Sequence, residues 1–204
     1  MLQDPQRSPV IALFAVALGL TVALLELGLI EYAFHRIGID HRYLFTLLAL
    51  SLLGSNINVP ITRLHPPSGN PPAGTILAIN AGGALIPSGL SAYLLAHCGS
   101  VLGALLATAA VALVVHRLAK PLPQLGIAVP VFVPPLVAAA AALLLAPDSA
   151  PAVAYIAGTL GTLIGADLTN LTRLRDLGAP VASIGGAGTF DGVFVTGILA
   201  VLLA

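Results

Sequence analysis

The chain has 204 residues, 58% of them hydrophobic and 8% charged, where a soluble domain carries about a quarter charged residues. Eight Lys plus Arg balance eight Asp plus Glu, which leaves no basic surface for neutralising phosphates and excludes nucleic acid as a partner. The single cysteine, Cys98, has no internal disulfide partner, and no Cys-x-x-Cys pair marks a redox or zinc site.

Crossing a hydrocarbon core of about 30 Å takes about 20 apolar residues as helix, because every peptide group at that depth must be bonded within the segment. Seven stretches qualify as candidates: residues 9–33, 43–62, 75–96, 101–115, 125–146, 152–170 and 181–203. The expected fold is therefore all-α, a polytopic transmembrane helical bundle of about seven spans forming one integral membrane domain over residues 1–204. The first stretch is too long for a secretory signal, carries Glu26, and is followed by no small-residue cleavage pattern, so it reads as a retained helix. In the second, Asn56, Asn58 and Pro60 interrupt the run; in the third, Asn80, Gly82, Gly83 and Pro87 do so. The fourth is short for a span, and the fifth crowds Pro130, Pro134 and Pro135 into six positions, which favours an extended or kinked entry. Helices broken in this way persist at membrane depth where neighbouring helices, amide side chains or water satisfy the freed backbone. Such breaks are also ordinary packing devices, but several in one short chain point to a polar cavity near the midplane.

No connection is long enough to fold by itself; the most polar, from Arg63 to Gly74, reads RLHPPSGNPPAG. Function is expected to reside within the bilayer. Arg7, Arg63, Arg117, Lys120, Arg173 and Arg175 fall on one side of the seven-span scheme, with Arg36 and Arg42 on the other. The richer side is expected to be cytoplasmic, giving an inner-membrane protein with its N-terminus in the cytoplasm.

Two acids stand apart. Asp167 in GTLIGADLTNL and Asp191 in IGGAGTFDGVFVTG lie on consecutive spans with no counter-charge nearby. A charged side chain near the bilayer centre costs about 2.5 to 3.5 kcal/mol, so an acid kept there is a functional hypothesis, set against a structural hydrogen bond. Counted from the turn between them, their depths match only if Gly185, Gly186 and Gly188 form a non-helical entry loop. Two carboxyls that meet in such a place share one proton, and the pair then has the acid and the base of an aspartyl hydrolase. Gly185, Gly186, Gly188 and Thr189, with Pro134, Pro135 and Asn80 in the broken spans, are the candidate substrate contacts.

The stretches LGAPVASIGGAGTFDGVFVTGILAVLLA, GTLGTLIGADLTNL and GIAVPVFVPPLV resemble the prokaryotic domain-of-unknown-function family 1614, from about Leu52 to the end, with residues 183–192 the most specific part. That resemblance implies a polytopic membrane protein of bacteria or archaea and no activity. A weaker similarity is to intramembrane aspartyl proteases of the presenilin, signal peptide peptidase and prepilin peptidase kind, and it implies roles for Asp167 and Asp191 alone. Here Thr189 and Phe190 separate the Gly-x-Gly from Asp191, Ala166 stands where presenilin-like members have Tyr, and Pro135-Leu136 precedes the acids.

Two functions follow as expectations: an intramembrane aspartyl protease acting on a membrane-embedded peptide, or a proton- or cation-coupled transporter or channel for a small solute with the same acids as its ion site. The partners expected are the lipid bilayer and that peptide or solute. No metal or other cofactor is expected. Glu31 and His35, four apart, read as an interfacial pair, and Gly185 to Gly188 lack the Lys and Ser or Thr of a nucleotide loop.

Overall fold

A computed structural model describes residues 16–20, 22, 28–64, 74–122, 126–175, 180–186 and 192–204. Of these, 72% are helical and 14% lie in strands. The strands correct the all-α expectation, and the reason lies in the break points. Where Asn, Gly and Pro interrupt an apolar stretch, the chain leaves the helix and its backbone finds partners across strands instead.

Helix α1 (Leu29–Arg36) follows Gly28, which adopts φ 66°, and buries Ile30, Ala33 and Phe34 on one face. At its end Arg36 Nη1 donates to Val201 O (2.9 Å). Asp40 then caps α2 (His41–Gly54) by accepting from Arg42 N, and α1 and α2 meet at 111°. The second apolar stretch continues as strand β1 (Asn58–Leu64), antiparallel to β2 (Thr75–Asn80). From β2 a π-helical turn (Ala81–Leu85) leads into α3 (Ile86–His97). Helix α4 (Val101–Leu118) begins at Ser100, whose Oγ accepts from Gly103 N (3.3 Å). A small hairpin, β3 (Lys120–Leu122) with β4 (Gly126–Ala128), precedes α5 (Val133–Leu145). Pro134 and Pro135 occupy the first turn of α5, where a missing N–H has no helical partner to lose.

Helix α6 (Ala150–Thr162) runs on through a second π turn (Leu163–Asp167) and a 3-10 turn (Leu168–Asn170) into α7 (Leu171–Arg175). Strand β5 (Val181–Ile184) pairs parallel with β2, giving the sheet order β1-β2-β5. Helix α8 (Gly192–Leu203) closes the described chain.

Among the described residues, two helical stretches are long and apolar enough to cross a membrane, Val101–Leu118 and Pro147–Arg173, and the bent pair of α1 and α2 makes a third if it counts as one span. Helices α5 and α8, of 13 and 12 residues, are apolar but shorter. Seven helical spans are not confirmed: stretches 43–62, 75–96, 125–146 and 181–203 are each part strand and part helix.

Helix α6 is the centre of the bundle, packed by α3, α4, α5 and α8 and buried through the run from Val153 to Thr159. Small residues set the distances. A Cβ on Gly161 would come within 2.6 Å of Val111 on α4, and one on Gly158 within 3.3 Å of Ala200 on α8. Close backbone approach of this kind drives helix association where burial from water is not available. Outward, α4 presents Leu102, Leu105, Leu106 and Leu113, and α5 presents Leu144 at 83% exposure, a surface suited to lipid. The sheet, both π turns and the β3-β4 hairpin gather at one end of the bundle, with Arg63, Arg117, Lys120 and Arg173; Arg36 and Arg42 lie at the other.

Candidate functional site

Strand β2 and strand β5 lie side by side, point the same way, and each runs into a glycine-bearing break followed by a helix. After β2, the backbone at the break is held by Asn80, which is 1% exposed. Its Oδ1 accepts from Gly83 N (2.7 Å), and its Nδ2 donates to Ser55 O (2.6 Å) and Asn58 Oδ1 (3.0 Å). Ser183 Oγ on β5 donates to the same Asn58 Oδ1 (2.6 Å), tying the three strands together at the base of the breaks. Gly82 has no room for a side chain: a Cβ there would collide with Ser51 O at the end of α2.

After β5 the break begins with Gly185 and Gly186, at φ 81° and 93°. Successive left-handed residues turn the chain sharply, at little cost only for glycine. The Gly185 N–H donates to Asp167 Oδ2 (2.8 Å) at the end of the π turn that extends α6. On its other side Gly185 rests on the first π turn, where a Cβ would come within 2.6 Å of Ala84 Cβ and 2.7 Å of Ala84 N. Gly185 is thus clasped between the two π turns, and Asn80, Gly83, Gly185 and Asp167 form one constellation. π turns are rare and concentrate at functional sites; two of them facing one glycine mark this junction as the candidate site.

Among the candidates read from the sequence, Asp167, Asn80 and Gly185 come together, and Gly186 continues the same turn. The non-helical entry needed to bring Asp167 and Asp191 to one depth is present as far as Gly186. Asp191, Gly188 and Thr189 lie outside the described residues, as do Glu26, Arg7 and His65. Pro134 and Pro135 are buried in the first turn of α5, where they start the helix.

Sequence reasoning passed over Asn170 and the threonines of α6. Asn170 Nδ2 donates to Gly165 O and Ala166 O (both 2.9 Å), while its Oδ1 and the Oγ1 of Thr162 are buried and meet no hydrogen-bond partner among the described residues. Thr159 Oγ1 has no bond of normal geometry either and lies toward the Tyr155 hydroxyl. Each such atom costs about 1–3 kcal/mol if nothing satisfies it. The signal was legible in principle: positions 155, 159, 162, 166 and 170 share one face of a helix.

At the opposite end of the bundle a cavity of about 280 Å³ is lined by Glu31, Tyr32, Phe34, His35 and His41 among others. Among the described residues no group of three His, Cys, Asp or Glu is placed to hold a metal ion. Nearby, Asp40 is held below the usual carboxylate range by the Arg42 guanidinium and backbone N–H that bond to it.

A model of a family described as protein of unknown function (DUF1614) matches residues 48–203 of this chain. No curated protein and no solved structure matches it.

Proposed function

The chain belongs to the DUF1614 family of proteins of unknown function, a name that carries no activity, and on its own residues we propose that it is an intramembrane aspartyl protease using Asp167 and Asp191. One observation supports this above the others: a carboxylate at Asp167 performs a backbone-bonding task that a neutral amide performs at Asn80. An acid is the more expensive choice in a poorly solvated place, so its charge or its proton is what the site requires.

In this reading the ionised carboxyl takes a proton from water as the hydroxyl oxygen adds to the carbonyl carbon of a membrane-embedded peptide. The protonated carboxyl gives its proton to the carbonyl oxygen. Collapse of the tetrahedral diol breaks the C–N bond; the proton taken from water passes to the leaving amine, and one diol hydroxyl returns its proton to the carboxyl that had protonated the carbonyl oxygen. Gly185 and Gly186 let a substrate backbone come close. Among the described residues strand β5 is an edge of its sheet, and it offers an extended peptide a row of backbone partners. The end carrying Arg63, Arg117, Lys120 and Arg173 is read as cytoplasmic, in an inner membrane with the N-terminus on that side.

The test is cleavage of a reporter with a single transmembrane segment, reconstituted with the full chain in liposomes. Asp167→Asn and Asp191→Asn should each lower the rate by about 10²–10⁴-fold. Cleavage at the wild-type rate in either variant ends the proposal.

A second reading, proton- or cation-coupled movement of a small solute, is favoured by the π turn that ends at Asp167, a break in a long apolar helix of the kind from which ion sites are built. It predicts solute uptake driven by a pH gradient in the same liposomes, with no reporter cleavage.

A further inference from the structure

We propose that strand β1 lies at the membrane interface and docks on anionic phospholipid, with Ile57, Val59 and Ile61 against the upper acyl chains and Arg63 on the headgroup phosphate.

The sequence sets two boundaries. From Tyr43 to Thr62 there is no charged residue, and Arg42 and Arg63 close the run at its ends. A charge in each of these places belongs at a headgroup layer, because the hydrocarbon core excludes it. Helix α2 covers His41–Gly54, 14 residues, and so at most about 21 Å of a core about 30 Å thick. The helix therefore stops inside the bilayer, and the uncharged residues after it complete the crossing as a turn and strand β1. Counted from the exposed Asp40–Arg42 ion pair at the start of α2, about 9 Å remains, the length of about three residues of strand.

Strand β1 fits that position. All of its residues but Leu64 are exposed, and Ile57, Val59 and Ile61 leave 55%, 45% and 54% of their surface uncovered. Aliphatic side chains displayed together mark a surface that something apolar covers. The free edge of the strand argues against another strand as that cover. The Ala81 N–H donates to Ile57 O (2.9 Å) and Asn58 faces Asn80 across the pair, so the alternate residues Asn58 and Pro60 turn their backbone away from β2. Pro60 has no N–H to offer there, and the register shifts between Pro60 and Thr62; each closes an edge to strand addition. The apolar side chains are left to lipid, in continuity with the exposed Leu50 and Leu53 of α2.

Arg63 decides which lipid. It is exposed on the same strand, and the one ion pair among the described residues joins Asp40 and Arg42 at the other end of the bundle. Arg117, Lys120 and Arg173 lie at the Arg63 end, where the one acid among the described residues is Asp167, already bonded to Gly185. Unpaired cations beside a lipid-facing surface attract anionic headgroups.

The test uses the full chain in nanodiscs, with Cys98→Ser removing the single cysteine. A fluorophore is carried on Ile61→Cys, or on Asp148→Cys as an exposed control at the other end of the bundle. Nitroxide high on the acyl chain should quench the label at position 61 more strongly than nitroxide near the terminal methyl, and iodide should quench it far less than the label at position 148. Equal iodide quenching at the two positions overturns the proposal, because β1 is then in water. Strongest quenching from the terminal methyl overturns it as well, and so does shielding from every quencher, which means that protein, a second copy included, covers the strand. For the headgroup, the nitroxide is carried on phosphatidylglycerol or on phosphatidylcholine in mixed discs of one composition. Phosphatidylglycerol should quench about fivefold more per nitroxide, and Arg63→Gln should bring the ratio close to one while Arg63→Lys keeps it. A ratio of one in the parent, or one that Arg63→Gln leaves unchanged, overturns the anionic contact at Arg63. None of these readouts involves Asp167 or peptide cleavage.

Discussion

The break after β2 and the break after β5 pose the same problem and receive different answers. Both leave backbone N–H groups free at the mouth of a helix, next to each other across a parallel pair of strands. At the first, Asn80 solves it locally, capping a residue three positions on with an uncharged oxygen. At the second, the acceptor is Asp167, eighteen residues earlier in the chain and on another helix. The amide caps its own turn and ties it to α2 and β1 through neutral bonds, whereas the remote acid fixes α6 against the β5 turn and brings an ionisable group to the junction. The comparison separates what the fold needs, an acceptor, from what a function needs, a titratable one.

Substitutions at the two breaks sharpen that separation, and the largest effect is expected at Gly185. Gly185→Ala places a Cβ against Ala84 and the Gly83 carbonyl carbon at a φ of 81°, and should destabilise the chain by about 3–5 kcal/mol. Denaturant titration in micelles measures it, and a loss under 1 kcal/mol would show that the two π turns do not clasp this residue. Asn80→Ala removes an acceptor and two donated bonds from a fully buried group, with an expected loss of about 2–3 kcal/mol. The same titration reports it, and a neutral result would mean that water takes over the cap. Asp167→Asn should come last, within about 1 kcal/mol of the parent, because an amide oxygen accepts from the Gly185 N–H as the carboxylate does. If it unfolds the chain instead, the negative charge itself is structural, and the difference drawn between the two breaks disappears.

How far the sequence alone could be read depends on the range of the interaction concerned. Asp167 stood out because an acid among apolar residues is expensive wherever the helix goes. Asn58, Asn80, Gly82 and Gly83 stood out because they break a helix locally. What replaces the helix was not legible, since β1 and β2 pair across a turn, and β2 meets β5 only after about a hundred residues. Ser183 carried no signal of its own in the sequence, yet its hydroxyl holds Asn58. The stripe from Tyr155 to Asn170 was hidden by the apolar residues around it, because single threonines in a membrane helix usually bond their own backbone.

Taken alone, the order of residues determined that this is an apolar chain with helices apolar enough to cross a membrane, that its helices fail at Asn, Gly and Pro, and that Asp167 is out of place among its neighbours, because each of these follows from transfer energy and backbone conformation within a few positions. The tertiary structure alone decided that the broken halves become a three-stranded sheet, that Gly185 is seated between two π turns, and that the acid of one helix holds the turn of another. Those contacts join segments far apart in the chain, and only close packing of the whole bundle brings their partners within bonding distance.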